Sequence, residues 1–129
     1  FYDRAGLSPI ETVFTYEAER SRVPPLPSAR LRFELADTAR PDHLEALMAI
    51  DRRAFPWLWW NSAAEFREYR HAHGVGLFLG FDGARPVAYV GFTTFAGWGH
   101  LDRIAVDPPL HGRGYGRDAL AFALATLLR

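Results

Sequence analysis

The chain has 129 residues, of which 49% are hydrophobic and 23% charged, a composition suited to one globular domain or to parts of two. Its 15 basic residues, all arginine, are balanced by 15 acidic residues, so it lacks the basic field that nucleic-acid binding requires. Cysteine is absent, which excludes disulfides, thiolate catalysis and cysteine-ligated metal. The five histidines show no ligand spacing apart from His71 and His73, which are typical of a solvated helix end. We therefore expect no metal, no nucleic-acid partner and no membrane contact, and a cytoplasmic location.

Residues 1–20 are predicted to form a helix end stopped by Gly6, followed by a strand over residues 10–18. Residues 21–30 contain three prolines and are predicted to form a stiff linker. After this linker the pattern starts afresh, with an apolar strand over residues 31–35. A new domain is therefore expected to begin at residue 31.

Two helices are predicted next. The first is expected to be capped by Asp37 or Thr38 and to end near Pro56, because its apolar residues recur at helical spacing: Leu44, Leu47, Met48 and Ile50. The second begins with the capping-box pattern of Ser62 and Glu65 and runs to about His71. Between them lies a short aromatic segment whose three tryptophans cannot all be buried on one loop: Phe55, Trp57, Trp59 and Trp60.

Three strands and a helix complete the predicted order. A hairpin is expected from residues 75–81 and 87–95 around Asp82 and Gly83, and a third strand over residues 100–106. The final apolar run, from Asp118 onward, has helical spacing. The order is thus strand, two helices, three strands and helix.

The segment between the strand predicted over residues 100–106 and the last helix is typical of an anion-binding turn. Asp107 and two prolines stop the strand, and Gly112, Gly114 and Gly116 remove side chains just before the helix begins. Free first-turn amides and the helix dipole favour a phosphate there, by roughly 0.3 to 2 kcal/mol from the dipole alone. The alternative is a glycine-rich turn without a ligand.

The glycine spacing distinguishes between known phosphate-binding loops. A P-loop requires a lysine, and the chain has none. A dinucleotide fingerprint requires a third glycine where Arg117 stands. The segment instead resembles motif A of the GNAT acetyltransferases, Gln/Arg-x-x-Gly-x-Gly/Ala preceded by Val-x-Pro, with His111 in place of the usual Gln or Arg.

This resemblance implies an α/β fold, with a GNAT-like mixed sheet and flanking helices. It implies that residues 31–129 form the N-terminal two-thirds of a GNAT domain, with the C-terminal part of the fold missing from this chain. Residues 1–20 resemble the closing helix end and strand of a preceding GNAT domain, which suggests a tandem protein. A permuted single domain that uses residues 1–20 as its missing hairpin is the alternative. A second GNAT domain or a homodimer partner is expected accordingly.

The resemblance also implies acetyl-CoA as cosubstrate. The strand end would pair with the pantetheine arm, the turn amides would hold the pyrophosphate, and two arginines are candidates for the phosphates. The expected cofactor-binding residues are Ile104, Ala105, Val106, His111, Gly112, Arg113, Gly114, Tyr115, Gly116 and Arg117.

Acetyl transfer to an amine requires a base, because an alkylamine of pKa near 10.4 is only about 0.04% neutral at pH 7. Strand alternation predicts that His100, Asp102 and Ile104 share a face, and His100 falls where related enzymes carry a general-base Glu. Asp102 is the second candidate base. Tyr2 matches the family's general-acid Tyr, though in the motif of the preceding domain.

The aromatic segment Phe55, Trp57, Trp59 and Trp60 is the expected acceptor-binding wall, since the family admits its acceptor at the corresponding loop. An apolar or aromatic amine, or a peptide N-terminus, would suit this wall. N-acetyl transfer from acetyl-CoA to a primary amine is the predicted function. Two alternatives stay open: a degenerate GNAT unit that serves as a CoA-binding or interaction scaffold, and a different nucleotide-binding module.

Overall fold

The computed structural model describes residues 3–24 and 29–129. Its core is a four-stranded antiparallel sheet of β1 (Arg32–Leu35), β2 (Val75–Asp82), β3 (Arg85–Phe95) and β4 (Trp98–Val106), in the order β1-β2-β3-β4. Three helices flank it: α1 (Pro41–Ala54), α2 (Ala63–His71) and α3 (Tyr115–Leu127). The predicted α/β fold and the predicted order of elements are confirmed. All strand pairs in the described residues are antiparallel.

The helices cover opposite faces of the sheet. On one face α1 and α2 bury a cluster that includes Leu47, Phe66 and Leu77. On the other face α3 packs its small residues Ala119 and Ala123 on Val90 and Phe92, and Phe122 stacks on Phe33 with ring centroids 4.2 Å apart. Because side chains alternate along a strand, the sheet supplies two separate apolar faces for these two layers.

The helix starts follow local chemistry. The capping box predicted at Ser62 is present, since its hydroxyl accepts from the Glu65 amide at 3.2 Å and the Glu65 carboxylate accepts from the Ser62 amide at 2.7 Å. The cap predicted for α1 at Asp37 or Thr38 is wrong. Arg40 is the N-cap, because Pro41 occupies the first helical position, where a missing N–H and a fixed φ are favourable. Asp37 instead accepts from the Ala39 amide in a local turn.

The strand predicted for residues 10–18 is not formed. Residues 7–19 carry no helix or strand and are exposed, although a 3₁₀ turn, Asp3–Ala5, precedes Gly6 as expected. Strand-forming residues need a hydrogen-bonding partner, and no strand of the described sheet pairs with this segment. Its assignment to a preceding domain stays a prediction. Pro24 falls in the described part of the predicted linker, whereas Pro25 and Pro27 lie outside it.

None of the helices within the described ranges combines the length and the apolar character needed to cross a membrane.

Removal of the α2 cap should destabilise the domain. Ser62→Ala deletes the hydroxyl acceptor of the capping box, so we expect the free energy of unfolding to fall by about 1 kcal/mol, within the roughly 0.5 to 2 kcal/mol measured for helix caps. Urea denaturation monitored by circular dichroism measures this change. Ser8→Ala, in the exposed N-terminal segment, is the matched control and should leave the midpoint unchanged. Equal midpoints for the two variants would contradict the role of the cap.

Candidate functional site

A glycine-rich loop joins the end of β4 to the start of α3. A 3₁₀ turn, Pro108–Leu110, follows the strand, and Gly114 is the N-cap of α3. Gly112 and Gly114 have φ of +79° and +85°, in the left-handed region that only glycine adopts without strain. These two residues therefore turn the chain sharply into the helix, as the sequence predicted.

The loop presents a run of free backbone donors. None of the six amides of residues 112–117 forms a hydrogen bond of normal geometry with any residue in the described ranges. The next amide, of Asp118, donates to the Gly114 carbonyl at 3.1 Å and closes the first turn of α3. His111, which was expected among the cofactor-binding residues, does not add a free amide to this run, because its amide donates to the Pro108 carbonyl at 3.1 Å. Six consecutive free amides at a helix start form an anion-binding surface.

Arg30 stabilises this loop through hydrogen bonds. Its Nε and backbone N–H donate to the buried Asp118 carboxylate at 3.2 and 3.3 Å, and its Nη2 donates to the Arg113 carbonyl at 2.8 Å. With that carbonyl held by Arg30, the loop keeps its conformation without using its amides. A Cβ atom on Gly114 would lie 2.7 Å from Arg30 Nη2, so a larger residue there would displace the Arg30 guanidinium as well as strain a φ of +85°. Sequence reasoning missed Arg30, which lies 83 residues from Arg113.

A cavity of about 470 Å³ opens beside the loop, along the outer edge of β4. It is lined by strand, loop and helix residues: Ile104, Ala105, Val106, Leu110, His111, Gly112, Gly114, Tyr115 and Gly116. No described strand pairs with this edge. The strand end and the glycine loop, which were predicted to form one site, therefore come together around this cavity. Arg113 and Arg117 are both exposed at its rim.

The backbone of Ile104 and Val106 points to this open edge. The Asp107 amide donates to the Val87 carbonyl of β3 at 2.9 Å, and Val106 and Ile104 lie opposite Ala88 and Val90. Because hydrogen-bonded and non-bonded pairs alternate in an antiparallel ladder, the N–H and C=O of Ile104 and Val106 face away from β3. His111 Nε2 lies 3.0 Å from the Val106 carbonyl and donates to it as the Nε2-protonated tautomer.

A β-bulge in β4 rearranges the face on which His100 lies. Gly91 is opposite Arg103 and Phe92 is opposite Leu101, so Asp102 has no partner in the register. His100 and Asp102 share a face as expected, but the expectation that Ile104 lies on the same face is wrong. Regular alternation already places Arg103 on the α1/α2 face, and the extra residue brings Asp102 and His100 to that face too, whereas Ile104 packs in the cluster beneath α3.

On the α1/α2 face, Asp102 organises a polar cluster. Its Oδ2 accepts from Tyr69 Oη at 2.5 Å and from Thr93 Oγ1 at 2.6 Å, and its Oδ1 lies 2.5 Å from His100 Nδ1. An ionised carboxylate only accepts, so Nδ1 of His100 carries the proton and Nε2 holds a lone pair. Nε2 makes no hydrogen bond within the described residues, and the side chain is 65% exposed. This arrangement can accept a proton at Nε2.

Tyr69 is a member of this cluster that sequence reasoning missed. Partial burial, and then the hydrogen bond to Asp102, raise the pKa of Tyr69 well above its ordinary value. A Cβ atom on Gly91 would lie only 2.7 Å from the Tyr69 hydroxyl oxygen, so the absence of a side chain at Gly91 makes room for Tyr69. A glycine inside an otherwise apolar strand was the sequence signal for this close approach.

The aromatic residues predicted to bind the acceptor also lie on the α1/α2 side. Trp57, Trp59 and Trp60 are 73%, 41% and 46% exposed, as expected for a loop that cannot bury them all, and Phe55 packs against the core. The Trp59 carbonyl accepts a hydrogen bond from Arg103, the residue that follows Asp102. The candidate base and the aromatic loop thus share a face. Tyr2 lies outside the described residues.

Comparison with known proteins identifies this architecture. The Acetyltransferase (GNAT) family model matches residues 36–129. The chain belongs to the GNAT acetyltransferase family. No curated protein sequence is significantly similar to it.

Two solved structures share the GNAT fold of this chain. The ribosomal-protein-S18-alanine N-acetyltransferase of Escherichia coli superposes with a TM-score of 0.61 at 23% identity, covering 75% of this chain and 59% of that one. A Bacteroides thetaiotaomicron protein assigned to the GNAT family superposes with a TM-score of 0.65 at 22% identity, covering 76% of this chain and 56% of that one. The chain therefore spans less than two-thirds of the length of either structure.

The raised pKa of Tyr69 has a consequence for alkaline stability. A raised pKa means that the folded state favours the neutral phenol, so this contribution is complete below the unfolded-state pKa near 10 and is lost as pH rises above it. We expect the folded protein and its Tyr69→Phe variant to show the same tyrosinate absorbance at 295 nm up to about pH 10.5. The urea-unfolded pair, measured alongside, should differ by one tyrosine. A difference in absorbance at 295 nm between the two folded proteins at pH 10 would contradict a half-buried Tyr69 phenol hydrogen-bonded to Asp102.

Proposed function

We propose that this GNAT domain transfers an acetyl group from acetyl-CoA to a primary amine. The observation that carries the proposal is the run of six free amides, residues 112–117, beside the open edge of β4 and its cavity. A diphosphate fits such donors, because each free N–H can bind an anionic oxygen and the helix dipole adds attraction.

The residues that would hold acetyl-CoA lie on one continuous surface. The amides of residues 112–117 would bind the pyrophosphate, with Arg113 and Arg117 exposed beside them. The outward backbone groups of Ile104 and Val106, with Ala105 between them, would bind the pantetheine arm as an added strand does. When bound, acetyl-CoA would supply an activated acetyl thioester, and its C–S bond would break as the amine takes the acetyl group, so that CoA would leave as the thiolate.

His100 is the proposed general base. An amine attacks a thioester only in its neutral form, so a proton must leave it, and the free Nε2 of His100 can accept that proton directly or through water. Asp102 fixes the required tautomer and stabilises the imidazolium that forms. Tyr69 and Thr93 act as positioning residues, since their hydroxyls hold the Asp102 carboxylate. Asp102 thus orients the base rather than serving as the base itself.

The acceptor is proposed to approach along the aromatic loop, because this loop and His100 lie on the same face of the sheet. Exposed tryptophans favour an acceptor with an apolar or aromatic portion next to its amine, including a peptide N-terminus. The Escherichia coli structure of the same fold is by description an alanine N-acetyltransferase of ribosomal protein S18, which supports this class. Tyr2 as general acid and a cytoplasmic location stay predictions from the sequence.

Substitution of Gly114 tests the cofactor site. Gly114→Val introduces a Cβ that meets Arg30 at 2.7 Å and strains a φ of +85°, so the loop amides should lose their alignment. We expect the dissociation constant for CoA, measured by isothermal titration calorimetry, to rise more than about tenfold.

Gly97→Val is the matched control, because Gly97 also has a positive φ, +80°, but lies in the β3–β4 turn at the other end of β4. This control should bind CoA as the wild type does. Unchanged affinity in Gly114→Val would overturn the site. CoA binding with no acetyl transfer to any amine would favour the scaffold alternative.

Substitution of His100 tests the base. In His100→Ala we expect the turnover rate to fall by about 10² to 10⁴, the range for a general base, with the CoA affinity unchanged because the amides lie elsewhere. His73→Ala removes another exposed histidine and serves as the control. A His100→Ala variant that keeps the wild-type turnover rate would remove His100 from the mechanism.

A further inference from the structure

The aromatic loop, residues 55–61, has little structure of its own. It contains a single 3₁₀ turn, Trp57–Trp59, with no side-chain cap. All three of its tryptophans are exposed, so burial of their rings cannot fix its conformation. One side-chain hydrogen bond lies within the loop, from Trp60 Nε1 to the Phe55 carbonyl at 2.7 Å, and the other side-chain contacts that hold the loop come from outside it.

Arg103 holds the loop at three points. Its Nη2 donates to the Trp59 carbonyl at 2.5 Å, its Nη1 donates to Asn61 Oδ1 at 3.3 Å, and its guanidinium carbon lies 4.4 Å from the centroid of the Phe55 ring. These contacts fall at the start, middle and end of the loop. A planar guanidinium can make them together, whereas an ammonium group cannot.

Arg103 also contacts a carboxylate in the core of the domain. Asp51 is fully buried at the end of α1, and its Oδ1 lies 3.0 Å from Arg103 Nη2. Its Oδ2 accepts a hydrogen bond from the backbone N–H of Asn61 at 2.8 Å, and its Oδ1 also accepts one from the Tyr89 hydroxyl. That hydroxyl in turn accepts from Arg103 Nε at 3.1 Å. Helix, strand and loop are thus joined through one buried ion pair.

We propose that Arg103 is a positioning residue that sets recognition of the acceptor by locking the aromatic loop onto the strand carrying the base. This inference rests on the proposed transferase function. Arg103 directly follows Asp102, so one strand segment fixes both the orientation of His100 and the position of the loop. Three of the five guanidinium N–H groups donate hydrogen bonds, Nη2 also pairs with the Asp51 carboxylate, and the side chain is only 19% exposed, so Arg103 orders the loop rather than binding an anionic acceptor.

Arg103→Lys tests the inference in the full chain. Lysine retains the charge next to Asp51 but cannot span the three loop contacts, so the fold is preserved and the loop is released. We expect hydrogen exchange of the amides of residues 59–61 to accelerate at least about tenfold, and acrylamide quenching of tryptophan fluorescence to increase. The KM for the amine acceptor should rise about tenfold, with kcat and the CoA dissociation constant within about twofold of wild type.

Arg32→Lys is the matched control. Arg32 also extends from a strand, stacks over a phenylalanine ring, Phe81, at 4.8 Å, and pairs with a carboxylate, Glu34, but it does not contact the aromatic loop. It should change none of these readouts. Asn61→Ala removes one loop contact and leaves the Asp51–Arg103 pair in place, so it should shift exchange and acceptor KM in the same direction by a smaller factor.

The two hypotheses fail in different ways. Unchanged exchange and quenching in Arg103→Lys would overturn the anchoring role whether or not the protein is active. A loosened loop with an unchanged acceptor KM would overturn its role in recognition. Absence of acetyl transfer by the wild-type protein would instead overturn the proposed function, and the recognition role of Arg103 with it.

Discussion

The bulge at Asp102 is the constraint on which the proposed site depends. By adding one residue to β4 opposite Gly91 and Phe92, it places Asp102 and Arg103 consecutively on the α1/α2 face, which a regular strand would not allow. Asp102 can then orient His100 while Arg103 reaches the aromatic loop. Beyond the bulge the alternation resumes, so Ile104 packs beneath α3 and its backbone faces the open edge. Without the extra residue, base and loop anchor would face opposite layers.

Local signals in the sequence were sufficient for most of the fold. The capping box at Ser62 and the glycine loop both depend on residues within a few positions of each other, and both are present where predicted. The bulge has no comparable signal, because it arises from pairing between β3 and β4. A strict period of two therefore put Ile104 on the wrong face. The hydrogen bond from Tyr69 to Asp102 has no local signal either, because the two residues lie 33 positions apart along the chain.

Asp51 shows a signal that was available but not used. It follows Leu47 by four residues and Leu44 by seven, so it continues the apolar stripe of α1 into the core. A charged residue at such a position must be paired, because burial of an isolated carboxylate is strongly unfavourable. The sequence could thus predict a buried ion pair, but not that Arg103 is the partner. The N-terminal segment shows the converse: residues 10–18 have strand-forming composition, yet composition cannot supply the missing hydrogen-bonding partner.

The site divides three proposed tasks among three surfaces of one strand and the loop that follows it. Amides at the start of α3 would hold phosphates, the backbone edge of Ile104 and Val106 would hold the pantetheine, and side chains before the bulge would handle the proton. The edge is partly occupied by a residue of the described chain, since His111 donates to the Val106 carbonyl. A ligand amide that binds this carbonyl must share it with His111 or displace the imidazole. A glutamine or arginine, the usual residue of the motif, has a longer side chain with more rotatable bonds. His111 instead connects the outer edge of β4 to the glycine loop through a ring with only two side-chain torsions.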